Sequence, residues 1–253
     1  DDLNKIAASS RYVWVSSMVG VELSRYDKKM ETWGAIPLEE KIPFEEVNCI
    51  AVDGADVWFG LGSRVYCYNE ATDKWRLFTT KDGLAGKGAQ WITVDENYIW
   101  IARSGWDDSN HALSRYDKKA DKWVIFSTTD VLAAGGIDRI IATDDDVWII
   151  YSRWEEAGVT RYNKRTGEWT TIQPKGDWGS GVAELAKDKD YLWLATMNNG
   201  IKRFHFASGT WTSFEDRNGL LHNHTNERAL KVDDNYVWVG TPRGLSRYDK
   251  QKE

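Results

Sequence analysis

The sequence predicts an all-β chain made of tandem copies of one small sheet, and two observations carry that prediction. The first is tryptophan content: 15 Trp in 253 residues, beside 11 Tyr and 7 Phe. The second is spacing. Six Trp sit in short apolar runs: Val13-Trp14-Val15, Val57-Trp58-Phe59, Ile99-Trp100-Ile101, Val147-Trp148-Ile149, Leu192-Trp193-Leu194 and Val237-Trp238-Val239. These Trp are 44, 42, 48, 45 and 45 residues apart. Trp33, Trp75, Trp123, Trp169 and Trp211 follow the first five at intervals of 17–23 residues, so 11 of the 15 Trp are repeat positions. A sequence period of about 40–50 residues marks a repeat architecture.

Each repeat resolves into four short strands. The first has the form Ile/Leu-x-x-Asp, as in Ile50-Ala51-Val52-Asp53, Ile92-Thr93-Val94-Asp95 and Leu230-Lys231-Val232-Asp233. A polar turn such as Asp95-Glu96-Asn97 leads into the second strand, which carries the central Trp. The third strand contains Leu23-Ser24-Arg25-Tyr26, Leu113-Ser114-Arg115-Tyr116, Val159-Thr160-Arg161-Tyr162 or Leu245-Ser246-Arg247-Tyr248. After a second polar turn, as in Asp117 to Lys122, the fourth strand opens on the second Trp, as in Trp75-Arg76-Leu77-Phe78 and Trp123-Val124-Ile125-Phe126. β-Branched and aromatic residues in short runs between Asp, Asn and Gly turns are strand signals. No segment keeps a helical apolar period over 10–12 residues.

Four strands per repeat at this period predict a β-propeller, whose blades cannot bury both faces alone and pack radially on one another. Large indoles then fill the wedge between neighbouring sheets. The predicted domain is a single propeller over 1–253, with blades at about 3–36, 47–78, 89–126, 137–172, 182–214 and 227–249. The sixth blade holds only three strands, because its fourth-strand Trp would fall at 255–261. The sequence therefore predicts six blades of four antiparallel strands with the last lacking its outer strand, closed by face packing, or a chain cut from a longer one.

Composition excludes several classes. The aromatic content is incompatible with disorder. Lys+Arg 33 against Asp+Glu 39 gives a net charge of −6, which lacks the basic footprint of a nucleic-acid binder. No apolar run approaches the roughly 18 residues of a membrane span. The opening Asp1-Asp2-Leu3 shows no leader. Two cysteines make neither a disulfide framework nor a metal set. Cys49 and Cys67 fall on the first and third strands of one blade, too far apart for a bridge, and are expected to be free core thiols.

The repeats resemble those of the two-component regulator propeller family. The motif that carries this is best seen in Leu230 to Asp249, with Val237-Trp238-Val239-Gly240-Thr241 and Gly244-Leu245-Ser246-Arg247-Tyr248-Asp249, together with the linkers Asp82-Gly83-Leu84 and Asn218-Gly219-Leu220. The resemblance covers the whole chain. It implies a propeller from the extracytoplasmic region of a bacterial sensor, periplasmic or secreted, often one that recognises glycans. The chain departs from the sensor type in lacking a membrane span, a coiled-coil linker and a kinase part.

In a propeller, the loops between second and third strands and between fourth and first strands share one face, and the short polar turns share the other. The turns repeat, and their Asp residues are expected to cap them rather than bind calcium. The loops vary and are the expected place of function. Four Trp lie outside the repeat positions, Trp91, Trp106, Trp154 and Trp178, and all map to this loop face. They suggest an aromatic platform for a sugar or another flat ligand, or loops packed over strand ends. Gln90, Arg139, Glu184, Glu227 and Arg228 align at the entrances of first strands, around the mouth of the expected channel. Arg139 and Arg228 can hold a carboxylate or phosphate; alternatively the ring is one of mutually compensating charges.

No catalytic motif, cofactor site or metal set is expected. His222 and His224 lie on the loop before the sixth blade, and with Glu184 and Glu227 they are the candidates for an alternative reading, a metal-assisted lyase. His205 is expected to fill a turn. Gly83-x-x-Gly86-Lys87-Gly88 lacks the spacing of a phosphate loop. The expected partners are a small-molecule or glycan ligand or a protein, with no nucleic acid, for a monomer or a module of a longer chain.

Overall fold

The computed structural model describes residues 3–17, 23–36, 46–62, 64–85, 89–103, 112–126, 136–153, 156–172, 181–226 and 229–252. Among these residues there is no α-helix, and none long and apolar enough to cross a membrane. Six antiparallel sheets account for the fold, five of four strands and one of three.

The first sheet comprises β1 (Leu3–Ala8), β2 (Tyr12–Ser17), β3 (Leu23–Asp27) and β4 (Thr32–Ile36). The second comprises β5 (Val47–Asp53), β6 (Asp56–Leu61), β7 (Arg64–Asn69) and β8 (Lys74–Phe78). The third comprises β9 (Trp91–Val94), β10 (Tyr98–Arg103), β11 (Ala112–Asp117) and β12 (Lys122–Phe126). The fourth comprises β13 (Gly136–Ala142), β14 (Asp146–Arg153), β15 (Glu156–Asn163) and β16 (Trp169–Ile172). The fifth comprises β17 (Val182–Lys187), β18 (Tyr191–Thr196), β19 (Ile201–His205) and β20 (Thr210–Phe214). The sixth comprises β21 (Leu230–Val232), β22 (Tyr236–Thr241) and β23 (Gly244–Asp249). Strand order follows chain order in every sheet, so each is a meander. β1 pairs with β2 and is the first strand of its own sheet, so it is not the outer strand of the sixth.

The chain divides into two compact units, residues 1–131 with 142–147, and residues 132–141 with 148–253. In the first, the first strands β1, β5 and β9 lie side by side. In the second, β17 adjoins β21.

Burial explains the tryptophan repeat. The second strands are the most deeply buried, and Trp14, Trp58, Trp100, Trp148 and Trp193 are each at most 2% exposed. Three of these indoles, Trp14, Trp58 and Trp193, cross to the next sheet and meet its third-strand Tyr. Ring centroids are 5.4 Å apart for Trp14–Tyr68, 5.4 Å for Trp58–Tyr116 and 5.6 Å for Trp193–Tyr248. The fourth-strand Trp packs on the third strand of its own sheet instead, at 4.8 Å for Tyr68–Trp75 and 5.1 Å for Tyr116–Trp123. The fourth-strand Trp can reach a neighbour as well, since Trp123 lies 5.5 Å from Phe78 of the preceding sheet.

A third-strand arginine completes the wedge of the first and fifth sheets. Arg203 lies over the rings of Tyr191, Trp193 and Phe214, at 4.5, 5.4 and 5.2 Å. Its guanidinium also donates to the Tyr248 hydroxyl at 3.2 Å. Arg25 does the same across to Tyr68 at 2.8 Å. Guanidinium over aromatic faces gains from the ring quadrupole while keeping its N–H groups for hydrogen bonds.

Candidate functional site

The two ends of each sheet differ chemically. At one end are the turns joining first to second and third to fourth strands. Asp95, Asp188 and Asp233 each use one carboxylate for two tasks there. Oδ1 accepts the backbone N–H groups two and three residues ahead, at 2.7–3.1 Å. Oδ2 accepts the indole N–H of Trp100, Trp193 or Trp238 at 3.0, 3.1 and 2.8 Å. The turn closes and the indole N–H keeps a partner, as the buried Trp100 and Trp193 require. These carboxylates are consumed by the fold, as the sequence predicts.

Departures from the motif have local consequences. Ser9 stands where the first sheet would carry Asp. Its Oγ still accepts from Arg11 and Tyr12, but Trp14 donates instead to Glu70 Oε1 at 2.8 Å. In the second sheet the first and second strands pair through Asp53↔Asp56, and Asp53 receives Lys118 at 2.5 Å. The fourth sheet has Thr143 at this position, and its Oγ1 serves the Asp146 amide. The indole N–H groups of Trp58 and Trp148 are buried without a hydrogen-bond acceptor among the described residues.

The third-to-fourth turns are held similarly. Asp27, Asn69, Asp117 and Asn163 each accept from two backbone amides ahead of them. The Lys that follows the turn Asp ties neighbouring sheets: Lys118 bridges Asp53 and the Asp95 carbonyl, and Lys250 meets Asp188 at 2.6 Å. This recurrent Asp-Lys pair is legible in the sequence as Asp27-Lys28, Asp117-Lys118 and Asp249-Lys250, but its latch role is not.

Asp188 supplies a pH test. Burial opposes its charge, but the Lys250 ammonium, the Trp193 indole and the Tyr191 amide outweigh that and hold its carboxyl below the ordinary value. Such a group contributes stability that is complete above the unfolded-state pKa of about 3.9 and is lost as pH falls through the lower folded-state value. Asp188→Asn is expected to reduce stability at neutral pH and to flatten the acid limb below about pH 4, as read from urea unfolding across that range. An acid limb identical to that of the parent would contradict this.

The other end of each sheet carries the loops. Of the sequence-predicted residues, Trp106, Trp154, Trp178, Glu227 and Arg228 lie outside the described residues. Trp91 is half-buried at the start of β9, opposite Ala102, and exposed Gln90 donates its amide to the Ala102 carbonyl at 3.1 Å. Arg139 and Glu184 do come together. The Arg139 guanidinium donates to the Asp138 carbonyl at 2.8 Å and to the Ala183 carbonyl at 2.7 Å, and lies 4.0 Å from Glu184 Oε1. Glu184 Oε1 also accepts the Leu185 amide at 2.9 Å. A β-bulge between Val182 and Glu184 turns the Ala183 carbonyl toward that guanidinium. Here the fork of Arg139 ties β13 to β17 through the Ala183 carbonyl.

The His pair is knitted into the fifth-to-sixth linker. His224 donates its amide to His222 Nδ1 at 3.0 Å, and its ring pairs with Asn198 Oδ1 at 3.2 Å. Among the described residues no group of three or more His, Cys, Asp or Glu is placed to hold a metal ion. His205 stacks on Tyr191 at 4.9 Å and bonds Ser208 within its turn. The segment ahead of Gly86 is a 3₁₀ turn, Thr80–Asp82, capped reciprocally by Thr79 and Asp82 and ended by Gly83 at φ 97°.

Cys49 and Cys67 are free and buried, one on each side of β6. Burial pushes both thiols up to about 12. Neither is expected to react with an aromatic disulfide reagent at about pH 8 in the folded protein, and both should react in denaturant. Rapid modification of the native chain would contradict their placement. Sequence analysis missed how Cys67 is compensated. Arg76 sits directly across from Cys67 on β8 and takes over the interblade arginine role, donating to Tyr116 at 3.2 Å and to Asp121 at 2.6 Å. The signal was present as an Arg opposite the substituted position, but only strand register reveals it.

Repeated meander sheets, joined within each unit by indole wedges, define the propeller-like class of all-β proteins. Comparison with solved structures agrees at the level of fold. The chain is similar to the extracellular domain of BT4673 from B. thetaiotaomicron, described as a one-component system, with TM-score 0.70 and 19% identity over 97% of this chain and 32% of that one. It is similar to PorZ, a surface component of the type-IX secretion system of Porphyromonas gingivalis, with TM-score 0.72 and 17% identity over 98% of this chain and 38% of that one. It is also similar to YCF48 bound to D1 peptide, with TM-score 0.69 and 15% identity over 98% of this chain and 78% of that one. The chain thus spans about a third of the length of BT4673 and PorZ. No family model and no curated protein matches it.

Proposed function

We propose that the chain is a six-bladed sensing or interaction propeller of an extracytoplasmic protein, taking its ligand at the loop ends of its sheets. The observation that carries this reading is the contrast between the two ends. At the turn end, the carboxylates of Asp95, Asp188 and Asp233 and the ammoniums of Lys118 and Lys250 are occupied by backbone amides, indoles and one another. That end has little left with which to recognise a partner. The sequence pattern assigns to the loop end the four Trp that no repeat position explains, Trp91, Trp106, Trp154 and Trp178, of which Trp91 lies among the described residues. An extracytoplasmic setting is supported by the similar fold of the BT4673 extracellular domain.

Carbohydrate is the ligand class this composition suits best. Indole faces stack on the apolar faces of sugar rings, and Gln90, Glu184, Glu227, Arg139 and Arg228 supply hydroxyl partners. The test is an oligosaccharide array followed by calorimetry. Saturable binding that falls at least about tenfold in the double variant Trp106→Ala/Trp154→Ala is the expected result. Absence of any glycan binding, or binding indifferent to that variant, would overturn it. A second reading, protein recognition through the same loops, is favoured by the peptide-bound state of YCF48. Under that reading the variant would lose a protein partner while the array stays silent.

A further inference from the structure

Two loops are sewn together at the loop end of the fifth sheet: the one between β18 and β19, and the linker between β20 and β21. The Gly200 amide donates to the Asn223 carbonyl at 2.9 Å, and the Thr225 hydroxyl donates to the Thr196 carbonyl at 2.7 Å. Both threonines are at most 1% exposed. Asn223 Oδ1 accepts the Asp216 amide at 2.7 Å, which fixes the linker from its other side. His222 and His224 flank Asn223 on this frame. Both are half-buried, with ring centroids 6.4 Å apart and ring planes at 73°.

Their hydrogen bonds give the two rings opposite tautomers. The backbone N–H of His224 donates to Nδ1 of His222 at 3.0 Å. That nitrogen must offer a lone pair, so the proton of the neutral ring sits on Nε2. His224 is the reverse. Its Nδ1 lies 3.2 Å from Asn198 Oδ1, an amide oxygen that accepts and has no proton to give. Nδ1 therefore carries the proton, and Nε2 keeps the lone pair. Among the described residues neither Nε2 has another partner. One ring thus presents a donor and its neighbour an acceptor. A metal ion does not suit this pair, because it needs a lone pair from each ring and Nε2 of His222 has none. A carboxylate or phosphate accepts but does not donate, so it would leave His224 Nε2 facing a second acceptor. An ammonium would oppose the His222 N–H in the same way.

We propose that His222 and His224 form a binding site for a pair of adjacent hydroxyls on a neutral sugar. One hydroxyl oxygen accepts from His222 Nε2, and its neighbour donates to His224 Nε2. Asn198 is a positioning residue, since it holds the His224 tautomer. This rests on the reading of the loop end as the ligand-binding end, and it adds to that reading the hydroxyl pattern recognised and a contact point apart from the four Trp.

The probe is methyl α-mannopyranoside, which carries adjacent hydroxyls. Two-bond proton–nitrogen correlation spectra of the whole chain at about pH 8, where imidazole is neutral, should show His222 protonated at Nε2 and His224 at Nδ1. Titration with the mannoside should shift both Nε2 resonances saturably. The fully O-methylated mannoside keeps the ring and its accepting oxygens but has no hydroxyl to donate, so it should bind at least about tenfold more weakly. His224→Ala should weaken the mannoside by a similar factor. Asn198→Ala should let the His224 proton move to Nε2 and weaken binding while the ring stays. The same tautomer in both rings, no saturable shift, equal binding of the two mannosides, or coordination of added zinc chloride by both Nε2 atoms would overturn the proposal. Mannoside binding that leaves both histidines unshifted would overturn it and spare the carbohydrate reading. A silent oligosaccharide array beside histidine shifts with the mannoside would do the converse.

Discussion

Replacing Trp193 by Ala is expected to lower the unfolding free energy by about 3–5 kcal/mol, the range for truncating a large buried aromatic. The side chain is 1% exposed and sits where two sheets meet, with Phe214 and Tyr248 centroids at 6.0 and 5.6 Å. The Arg203 guanidinium lies 5.4 Å from the indole. Three losses therefore coincide. A cavity opens between sheets, the guanidinium loses a ring face, and Asp188 Oδ2 loses the N–H it accepts at 3.1 Å. Trp193→Phe keeps much of the packing and drops only the hydrogen bond and part of the volume, so it should cost clearly less. The midpoint of urea unfolding, with the slope checked for constancy, reads both variants. A loss under about 1 kcal/mol for Trp193→Ala would mean that the wedge relaxes, against the packing described here.

Gly200→Ala is expected to cost about 2–4 kcal/mol, from two separable sources. The residue has φ 70°, where a Cβ is disfavoured, and its amide donates to the Asn223 carbonyl at 2.9 Å, which holds that conformation in place. A Cβ there would also overlap the backbone carbonyl of Phe214, which cannot move aside as a side-chain tip can. Gly209 is the internal control. Its φ is 65° and nothing lies within 4 Å of its added Cβ, so Gly209→Ala should show the conformational cost alone, about 1 kcal/mol. Equal effects at the two sites, measured in the same denaturant series, would remove the steric contribution.

Strand content, repeat period and the structural use of Trp were legible because each follows from local chemistry. Val-Trp-Val alternates across a pleat wherever it stands, and Asp ahead of two turn residues accepts their amides whatever surrounds it. The turn Asp residues could be assigned a capping role for that reason, and the free state of Cys49 and Cys67 follows from strand spacing alone. The candidate site was less legible. Arg139 and Glu184 were aligned as members of a ring, but the β-bulge before Glu184 is what turns the Ala183 carbonyl toward the guanidinium. No residue in Val182-Ala183-Glu184 announces that bulge. Likewise Arg76 acts for the missing arginine of Cys67 only because register places them opposite each other.

The sequence by itself determined the repeat period, the strands within each repeat and which residues join the sheets, since all are written in one periodic pattern. Only the tertiary structure decided what the irregular residues do. Lys118 reaches Asp53 from another sheet, and Arg76 takes over for Cys67 from another strand. The physical reason is that periodicity fixes which face of a strand a side chain leaves from, whereas its partner is whatever the packing of the next sheet brings within reach.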